Sequence, residues 1–414
     1  MRISGPRTGE ILTAITGRET WPAHVQMPAS LRDRTGRVVE KAMAVFHPAP
    51  RSYTGEDLSE LGCHGNPLIV DSVMELIRGT GLARLAEKGE FTRRAFLNGK
   101  IDLAQAEGVG ALVSAGSAPG ADMARSLLEG GLSGDVGALA DEIQVLLSSI
   151  EASFILDEAD PGLDSLPSSL DALLGEIDGL LEGASEASRI YSGVVTTIAG
   201  LPNAGKSSLF NAILGYPRAI VHHEGGTTRD ILRERLEISG VDFIFHDTAG
   251  IRTASSGPEE IGIQNTMEIL KKSHLVLYVV DASAGFSPGE EQWLNLGEKT
   301  LIVMNKADLV EAGQGDGHVW VSAKYGLGIE GLLEAMTSLF PQDLPRVFLE
   351  RHAYLLARAR EDLAHCLESA RRGMTPDALS MDLGAALRSL RDITGEDAPA
   401  DLLDDIFSRF CVGK

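Results

Sequence analysis

Cysteine is nearly absent from this chain. Its three residues, Cys63, Cys366 and Cys411, lie far apart, and none forms a Cys-x-x-Cys pair. That spacing excludes a disulfide framework and a clustered thiolate zinc site, and it suits a reducing compartment such as the cytoplasm. Long apolar runs are also missing. No stretch approaches the ~18 consecutive apolar residues of a membrane-spanning helix, and the first ten residues have no apolar core of a signal peptide. Positive charge is in deficit, with 37 Lys and Arg against 59 Asp and Glu and a formal net charge of −22. Such a chain repels a phosphate backbone, so contact with nucleic acid requires a local basic patch or a more basic partner. Apolar residues, by contrast, make up 43% of 414 residues, enough for a large core divided among about two or three domains.

The texture changes along the chain. Residues 1–98 mix short apolar runs (Val38 to Phe46, Pro67 to Val70) with turn-rich segments and read as α+β. Over residues 99–192 the strand character fades. Ile101 to Val113 and Ile143 to Ile155 carry apolar residues at three- and four-residue spacing, the helical period. Glycines 108, 110, 116, 130, 131 and 134 weigh against those helices, each by about 1 kcal/mol relative to Ala. Asp157 to Ser169 is acidic, contains proline and reads as a loop.

Residues 193–340 alternate strand-like and helical runs. Val194 to Ala199, Val241 to His246, Leu275 to Val280, Thr300 to Met304 and Val319 to Ser322 are the strand candidates. That alternation predicts a doubly wound, mostly parallel sheet covered by helices on both faces. Residues 341–414 return to a helical pattern, closed by the apolar stripe Leu402, Leu403, Ile406, Phe407 and Phe410. The predicted architecture is multidomain: an α/β domain inserted into a helical domain, behind an N-terminal α+β domain.

The inserted domain carries ordered motifs. Gly200-Leu-Pro-Asn203-Ala204-Gly205-Lys206-Ser207 fits G-x-x-x-x-G-K-S/T, and it stands between a strand and a helix beginning near Ser208. In such a loop, backbone N–H groups and a helix N-terminus cradle phosphates. Lys206 reaches the β- and γ-phosphates, and Ser207 ligates Mg²⁺. Asp247-Thr248-Ala249-Gly250 follows a second strand, where a carboxylate can hold Mg²⁺ through water and a glycine N–H can meet the γ-phosphate. Between them, Gly225-Gly226-Thr227-Thr228-Arg229-Asp230 suits a loop closing on Mg²⁺, with Thr228 as the ligand; the same composition also makes an ordinary turn. Asn305-Lys306-Ala307-Asp308 follows a further strand. Asp308 can accept from guanine N1–H and N2–H, which adenine lacks, and Ser322-Ala323-Lys324 would back up the base. Four such elements in order point to a GTPase of the translation-factor type.

The flanks narrow the class. Ser52-Tyr-Thr-Gly-Glu-Asp57, Cys63-His-Gly65, the run Gly89-Glu-Phe-Thr-Arg-Arg-Ala-Phe-Leu-Asn-Gly-Lys-Ile-Asp-Leu-Ala-Gln-Ala-Glu107 and the C-terminal Phe410-Cys-Val-Gly-Lys414 resemble the MnmE (TrmE) family of tRNA-modification GTPases, over essentially the whole chain. The resemblance implies an N-terminal folate-binding domain that also dimerises, and a homodimer. It implies an FAD-dependent partner of the MnmG type, with which an aminomethyl or carboxymethylaminomethyl group is added at C5 of the tRNA wobble uridine. A tetrahydrofolate derivative supplies the one-carbon unit, and GTP hydrolysis drives a conformational change. A ribosome-assembly switch built on the same central domain is the alternative, and a folate-binding scaffold is a third reading.

Residue by residue, the resemblance implies a K⁺ site at Asn203 and in the loop from His222, His223 and Glu224 through Gly225, Gly226 and Thr227. It implies a catalytic Glu259, which orients the attacking water, with Glu260 as the adjacent competitor. A carboxylate can do this without an unusual pKa. It implies folate contacts at Arg2, Glu60, Lys100 and Lys414, chemically suited to a pterin N–H edge and a glutamate tail. Cys411 matches a family cysteine, for which redox or nucleophilic chemistry and plain packing stay open. Members of the family carry a strand and a Gly-rich segment ahead of Arg-Ile-Ser-Gly, so either the start codon is misassigned or the N-terminal domain lacks one strand and part of the folate pocket's wall.

Overall fold

The computed structural model describes residues 1–156, 165–217, 219–222, 233–246, 270–287, 298–310, 317–340, 345–396, 398–411 and 413. In chain order the first elements are β1 (Arg2–Ser4), α1 (Thr8–Thr16), β2 (Met27–Arg32), β3 (Val38–His47), β4 (Leu58–Gly62), α2 (Pro67–Arg78), α3 (Glu90–Leu97), α4 (Leu103–Ser114), α5 (Ala118–Leu128), α6 (Gly131–Leu156), α7 (Leu166–Leu181) and α8 (Ala184–Ser192). The sheet-bearing region follows with β5 (Val194–Ala199), α9 (Lys206–Leu214), β6 (Ala219–His222), β7 (Arg233–Ile238), β8 (Val241–His246), β9 (Leu275–Asp281), β10 (Lys299–Asn305), β11 (Val319–Trp320) and α10 (Ile329–Ser338). The chain closes with α11 (Glu350–Arg371), α12 (Pro376–Thr394) and α13 (Ala400–Ser408).

These elements fall into two compact units. One comprises Met1–Val113, Arg125–Asp171 and Arg358–Lys414; the other comprises Ser114–Ala124 and Ala172–Ala357.

In the first unit, four antiparallel strands pair in the order β1-β4-β3-β2. Strand β3 turns Ala42 and Ala44 inward and Lys41 and Met43 outward, the two-residue period of a sheet covered on one face. Helices α1 and α2 cover that face, burying Ile11, Leu12, Ile15, Val73 and Ile77 with Leu31 and Leu61. Pro67 to Val70, a short apolar run in the sequence, opens helix α2. Asn66 caps it by accepting from Leu68 N–H at 2.9 Å, and Pro67 occupies the first turn, where its missing N–H costs nothing.

Four of the six glycines that weigh against helix do not prevent it, while Gly116 and Gly130 fall in the breaks between α4, α5 and α6. Gly108 and Gly110 lie inside α4, and Gly131 and Gly134 in the first turns of α6. At Gly110 a Cβ would come 3.0 Å from Cζ of Phe410, so the missing side chain lets that ring lie on the helix. Helix α4, helix α13 and Phe410 just past it share a small core of Leu103, Ala106, Leu403, Ile406, Phe407 and Phe410. Leu166 to Ser169, which reads as loop, is instead the first turn of α7; Pro167 is tolerated there for the same reason as Pro67.

The second unit holds seven strands in the order β11-β10-β9-β5-β8-β7-β6. All neighbouring pairs are parallel except β8 with β7 and β7 with β6. Six of the seven residues of β9 are buried, as expected for a strand with helices on both faces. The sequence reading omits β6 and β7. Arg233-Glu-Arg-Leu-Glu-Ile238 opens on three charged residues and alternates only from Leu236 to Ile238, unlike a central parallel strand. Strand β11 ends at Trp320, two residues earlier than expected, because Ser322 N–H turns to bond Leu327 O. Among the described residues no helix is long and apolar enough to cross a membrane.

Candidate functional site

The carboxyl end of β5 turns directly into Gly200–Gly205 and then into α9. Gly200 has φ 139°, and a Cβ there would lie 2.2 Å from Val279 O, so only glycine fits against β9. Asn203 adopts the left-handed region at φ 66°, where asparagine is tolerated better than most residues. Gly205, at φ 94°, is the N-cap of α9, and a Cβ on it would lie 2.2 Å from Nδ2 of Asn305. The loop's concavity is therefore backbone, shaped by positions where a side chain cannot stand. Lys206 folds over it, its Nζ donating to Gly200 O at 2.7 Å and Leu201 O at 2.8 Å. Ser207 and Ser208 follow in the first turn of α9, where the helix dipole adds positive potential.

The ends of β9, β10 and β11 lie beside this loop. Asn305, the last residue of β10, is 2% exposed. Its Nδ2 donates to Ala204 O at 2.9 Å, and its Oδ1 accepts from Ala323 N–H at 3.1 Å. One amide thus ties the phosphate-type loop to the Ser322-Ala323-Lys324 loop across more than a hundred residues of sequence. Lys306 follows in the left-handed region at φ 63° and pairs with Asp281 at 2.5 Å. Asp308, in the short turn Ala307–Leu309, accepts a hydrogen bond from the hydroxyl of the buried Ser322. Lys324 Nζ stands 4.8 Å from the centre of the Tyr325 ring. Asp281 is the residue that the sequence reading misses. Hydrogen bonds from Lys306 and from Ser283 hold its carboxyl below the usual range. Its signal was an acid closing a buried strand, Leu275–Asp281, in register with Asn305.

Several expected residues cannot be placed. His223, Glu224, Gly225, Gly226, Thr227, Thr228, Asp247, Thr248, Ala249, Gly250, Glu259 and Lys414 lie outside the described residues. His222, expected in the cation loop, is the last residue of β6, its Cα opposite that of Arg235 on β7. Among the described residues no group of three or more His, Cys, Asp or Glu side chains is placed to hold a metal ion.

In the first unit, Arg2 and Glu60 meet because β1 and β4 pair in that register, with Nε to Oε1 at 2.8 Å. The Arg2 guanidinium also lies 5.7 Å from the centre of the Tyr53 ring, and Tyr53 Oη shares a hydrogen bond with Thr92. Lys100 is held separately, its Nζ donating to Pro50 O at 3.1 Å. A cavity of about 910 Å³ opens beside β1, lined by residues that include Arg2, Ile11, Ile77, Phe91 and Gly413 but not Glu60 or Lys100. On its wall Glu90 accepts from Arg84, from Glu87 N–H and from Arg94. Burial pushes the Glu90 carboxyl up, and these three donors outweigh it, holding the group at about 2. Cys411 is exposed, and its carbonyl accepts from Gly89 N–H at 3.4 Å. Cys366 is buried on α11, and burial pushes its thiol up to about 12.

Comparison with known proteins covers nearly the whole chain. Residues 103–411 match the family described as the MnmE helical domain, and residues 1–100 match the GTP-binding protein TrmE N-terminus. The tRNA modification GTPase MnmE of Fervidobacterium nodosum is 37% identical over 395 residues, spanning 92% of this chain and 86% of that protein. The protein of the same name from Aquifex aeolicus is 38% identical over 431 residues, spanning 100% of this chain and 96% of its own length. That from Dichelobacter nodosus is 37% identical over 431 residues, again across 100% of this chain. With both flanking regions and the glycine-shaped loop accounted for in one alignment, the chain belongs to the tRNA modification GTPase MnmE family.

Proposed function

We propose that this protein hydrolyses GTP with Mg²⁺ and couples hydrolysis to modification of tRNA at C5 of the wobble uridine. It acts as a cytoplasmic homodimer with an FAD-dependent partner of the MnmG type and takes the one-carbon unit from a tetrahydrofolate derivative. The observation that carries the reading is Asn305, whose single amide joins the glycine-shaped loop to the two loops suited to a guanine base.

Fit to the nucleotide rests on the chain's own donors. Gly200 and Gly205 leave backbone where a Cβ would clash, and Lys206 brings an ammonium over the loop. In this reading Lys206 holds the β- and γ-phosphates, while Ala204, Gly205 and Ser208 donate around them. Ser207 and Thr228 would hold Mg²⁺, Asp247 would do so through water, and Gly250 would offer its N–H to the γ-phosphate. Asp308 accepts from the guanine edge; Lys306, braced by Asp281, and Ser322, Ala323 and Lys324 complete the base pocket. Glu259 orients the attacking water. Asn203 and the His222 to Thr227 loop hold K⁺. When bound there, K⁺ would supply positive charge of the kind that stabilises phosphoryl transfer.

Arg2, Glu60, Lys100 and Lys414 hold the folate. What supports this is the pairing of Arg2 with Glu60 at 2.8 Å; the cavity of about 910 Å³ beside β1 is lined by Arg2 but not by Glu60 or Lys100.

The test is GTP turnover by the whole protein in KCl and in NaCl at equal ionic strength, with Mg²⁺ present. Strong stimulation by K⁺ supports the cation site at Asn203. Indifference to the cation leaves GTP hydrolysis standing and overturns the K⁺-dependent mechanism.

A further inference from the structure

Charge is divided unevenly along this chain. Residues 1–100 carry 14 Lys and Arg against 11 Asp and Glu, a net of +3, whereas the whole chain stands at −22. The rest of the chain therefore carries −25. A phosphate backbone is repelled by most of the molecule and finds the opposite sign in the N-terminal portion. Five arginines there are already matched: Arg2 with Glu60, Arg7 with Glu10, Arg84 with Glu90, Arg93 with Asp404, and Arg94 with Glu56 and Glu90. Five other cations gather around the β2–β3 hairpin: Arg32, Arg34, Arg37, Lys41 and Arg78. All five are exposed, and none has an ion pair among the described residues.

The hairpin is built to present them. Asp33 Oδ1 accepts from Thr35 N–H at 2.9 Å, from Thr35 Oγ1 at 2.6 Å and from Arg37 N–H at 3.0 Å, so the one acid of the loop is turned inward to hold the turn. Arg32 donates to Gly36 O at 3.0 Å, and Arg34 donates to Gly79 O. Both bonds end on neutral carbonyls, which leave the guanidinium charge unmatched and several of its five N–H groups free. The second bond brings Arg34 to the C-terminal end of α2, where Arg78 precedes Gly79. Ala42 is buried in the core, so Lys41 stands on the opposite face of β3. Glu75, one turn before Arg78 on α2, subtracts from the patch.

We propose that this hairpin and the end of α2 form a surface that grips the phosphate backbone of tRNA, with Arg32, Arg34, Arg37, Lys41 and Arg78 as its cations. The inference rests on the tRNA reading above and adds the contact surface on this chain. Guanidiniums with free N–H groups suit phosphate oxygens, which they can meet in bidentate fashion. Such contacts position the RNA without reading its sequence.

The experiment is fluorescence anisotropy of a labelled, unmodified tRNA transcript titrated with the full chain alone, in KCl from about 0.05 M to about 0.3 M. Five phosphate contacts predict a slope of log affinity against log salt of about −4. The pair Arg34→Gln with Arg37→Gln should weaken binding about tenfold at low salt and make the slope shallower by about 1.5. Arg34→Lys with Arg37→Lys keeps both charges and should stay within about threefold of the parent. Arg371→Gln with Arg372→Gln removes the same charge from α11, where both arginines are ion-paired, and should leave affinity and slope as they were. GTP turnover should be alike in all four proteins. No binding by the parent at the lowest salt overturns the surface. So does an Arg34/Arg37 glutamine pair that binds like the parent, or a control pair that weakens binding as much. If the surface fails while the chain and its flavoprotein partner still modify the wobble uridine, the tRNA reading stands without it; if that modification is absent too, the reading itself falls.

Discussion

Replacing Asn305 with alanine separates a strut from a base contact. The amide is 2% exposed and engaged at both ends, donating to Ala204 O at 2.9 Å and accepting from Ala323 N–H at 3.1 Å. Alanine removes both bonds and strands a carbonyl at Ala204, itself 3% exposed, and an N–H at the half-buried Ala323. Each stranded group costs about 1–3 kcal/mol, so the two together cost about 2–6 kcal/mol. The space left lies against Gly205, whose Cα is packed under the amide, so the loop loses the wall that shapes it. Urea unfolding of the full chain, followed by tryptophan fluorescence, should show the transition that reports on Trp320 falling by about 1–2 M. A fluorescent GDP titration should show weaker binding. The ratio of GTP to ATP affinity should hold, because Asp308 keeps its bond from Ser322. An unmoved urea midpoint together with lost guanine selectivity would refute the strut, and Asn305 would then act through the base alone.

Three further perturbations read other parts of the molecule. Asp308→Asn exchanges an acceptor for a donor at an exposed position, so GTP affinity should drop by about 10²–10⁴-fold with stability unchanged. Xanthosine triphosphate, which has a C2 carbonyl to accept from the new amide, should gain; a variant that treats both nucleotides like the parent sinks the base assignment. Gly200→Ala places a Cβ 2.2 Å from Val279 O, and nucleotide binding should be lost without global unfolding; retained affinity would mean that the loop tolerates a shift away from β9. Glu90, held at about 2 in the folded chain, lies below its unfolded value. Its contribution is therefore complete above about pH 4.5 and fades as pH falls toward 2. Near-ultraviolet circular dichroism during acid titration should show a shallower loss for Glu90→Gln, and superimposable curves would deny Glu90 that role.

The nucleotide-type loops were legible because each motif follows a buried strand directly, and buried parallel strands announce themselves as short apolar runs. Val194–Ala199 and Val241–His246 are found with the bounds read from sequence. What failed to show was whatever depends on pairing. Strand β7 looked like a charged surface segment, because its character comes from hydrogen bonds to β6 and β8 rather than from its own residues. The Lys306–Asp281 pair joins residues 25 apart that meet only because β9 and β10 run in register. The cavity beside β1 is still less local, since its wall draws on the N-terminal segment, the end of α2, the start of α3 and Gly413. No window of sequence contains it.

The same non-locality explains Gly110, one of the glycines that weigh against helix, and the helix-cap glycines Gly89 and Gly395. Gly89 has φ 63°, and a Cβ on it would lie 2.9 Å from Phe407 O. A Cβ on Gly395 would lie 2.6 Å from Cβ of Leu103, and one on Gly110 would meet the Phe410 ring. Each of these glycines stands where another segment comes close: α13 and its last aromatic at Gly89 and Gly110, and the start of α4 at Gly395. The helix propensity given up at Gly110 is offset by burial of Phe407 and Phe410. Phe410 is followed at once by Cys411 and then by Gly413, which lines the cavity, so the ring on Gly110 fixes where the C-terminal tail enters. Gly110→Val should push Phe410 off α4, destabilise the first unit by about 1–3 kcal/mol and weaken binding of 5-formyltetrahydrofolate, while GDP affinity stays as it was. If folate affinity holds although the unit is destabilised, the tail reaches the cavity without Phe410 as its anchor, and the coupling argued from these three glycines is wrong.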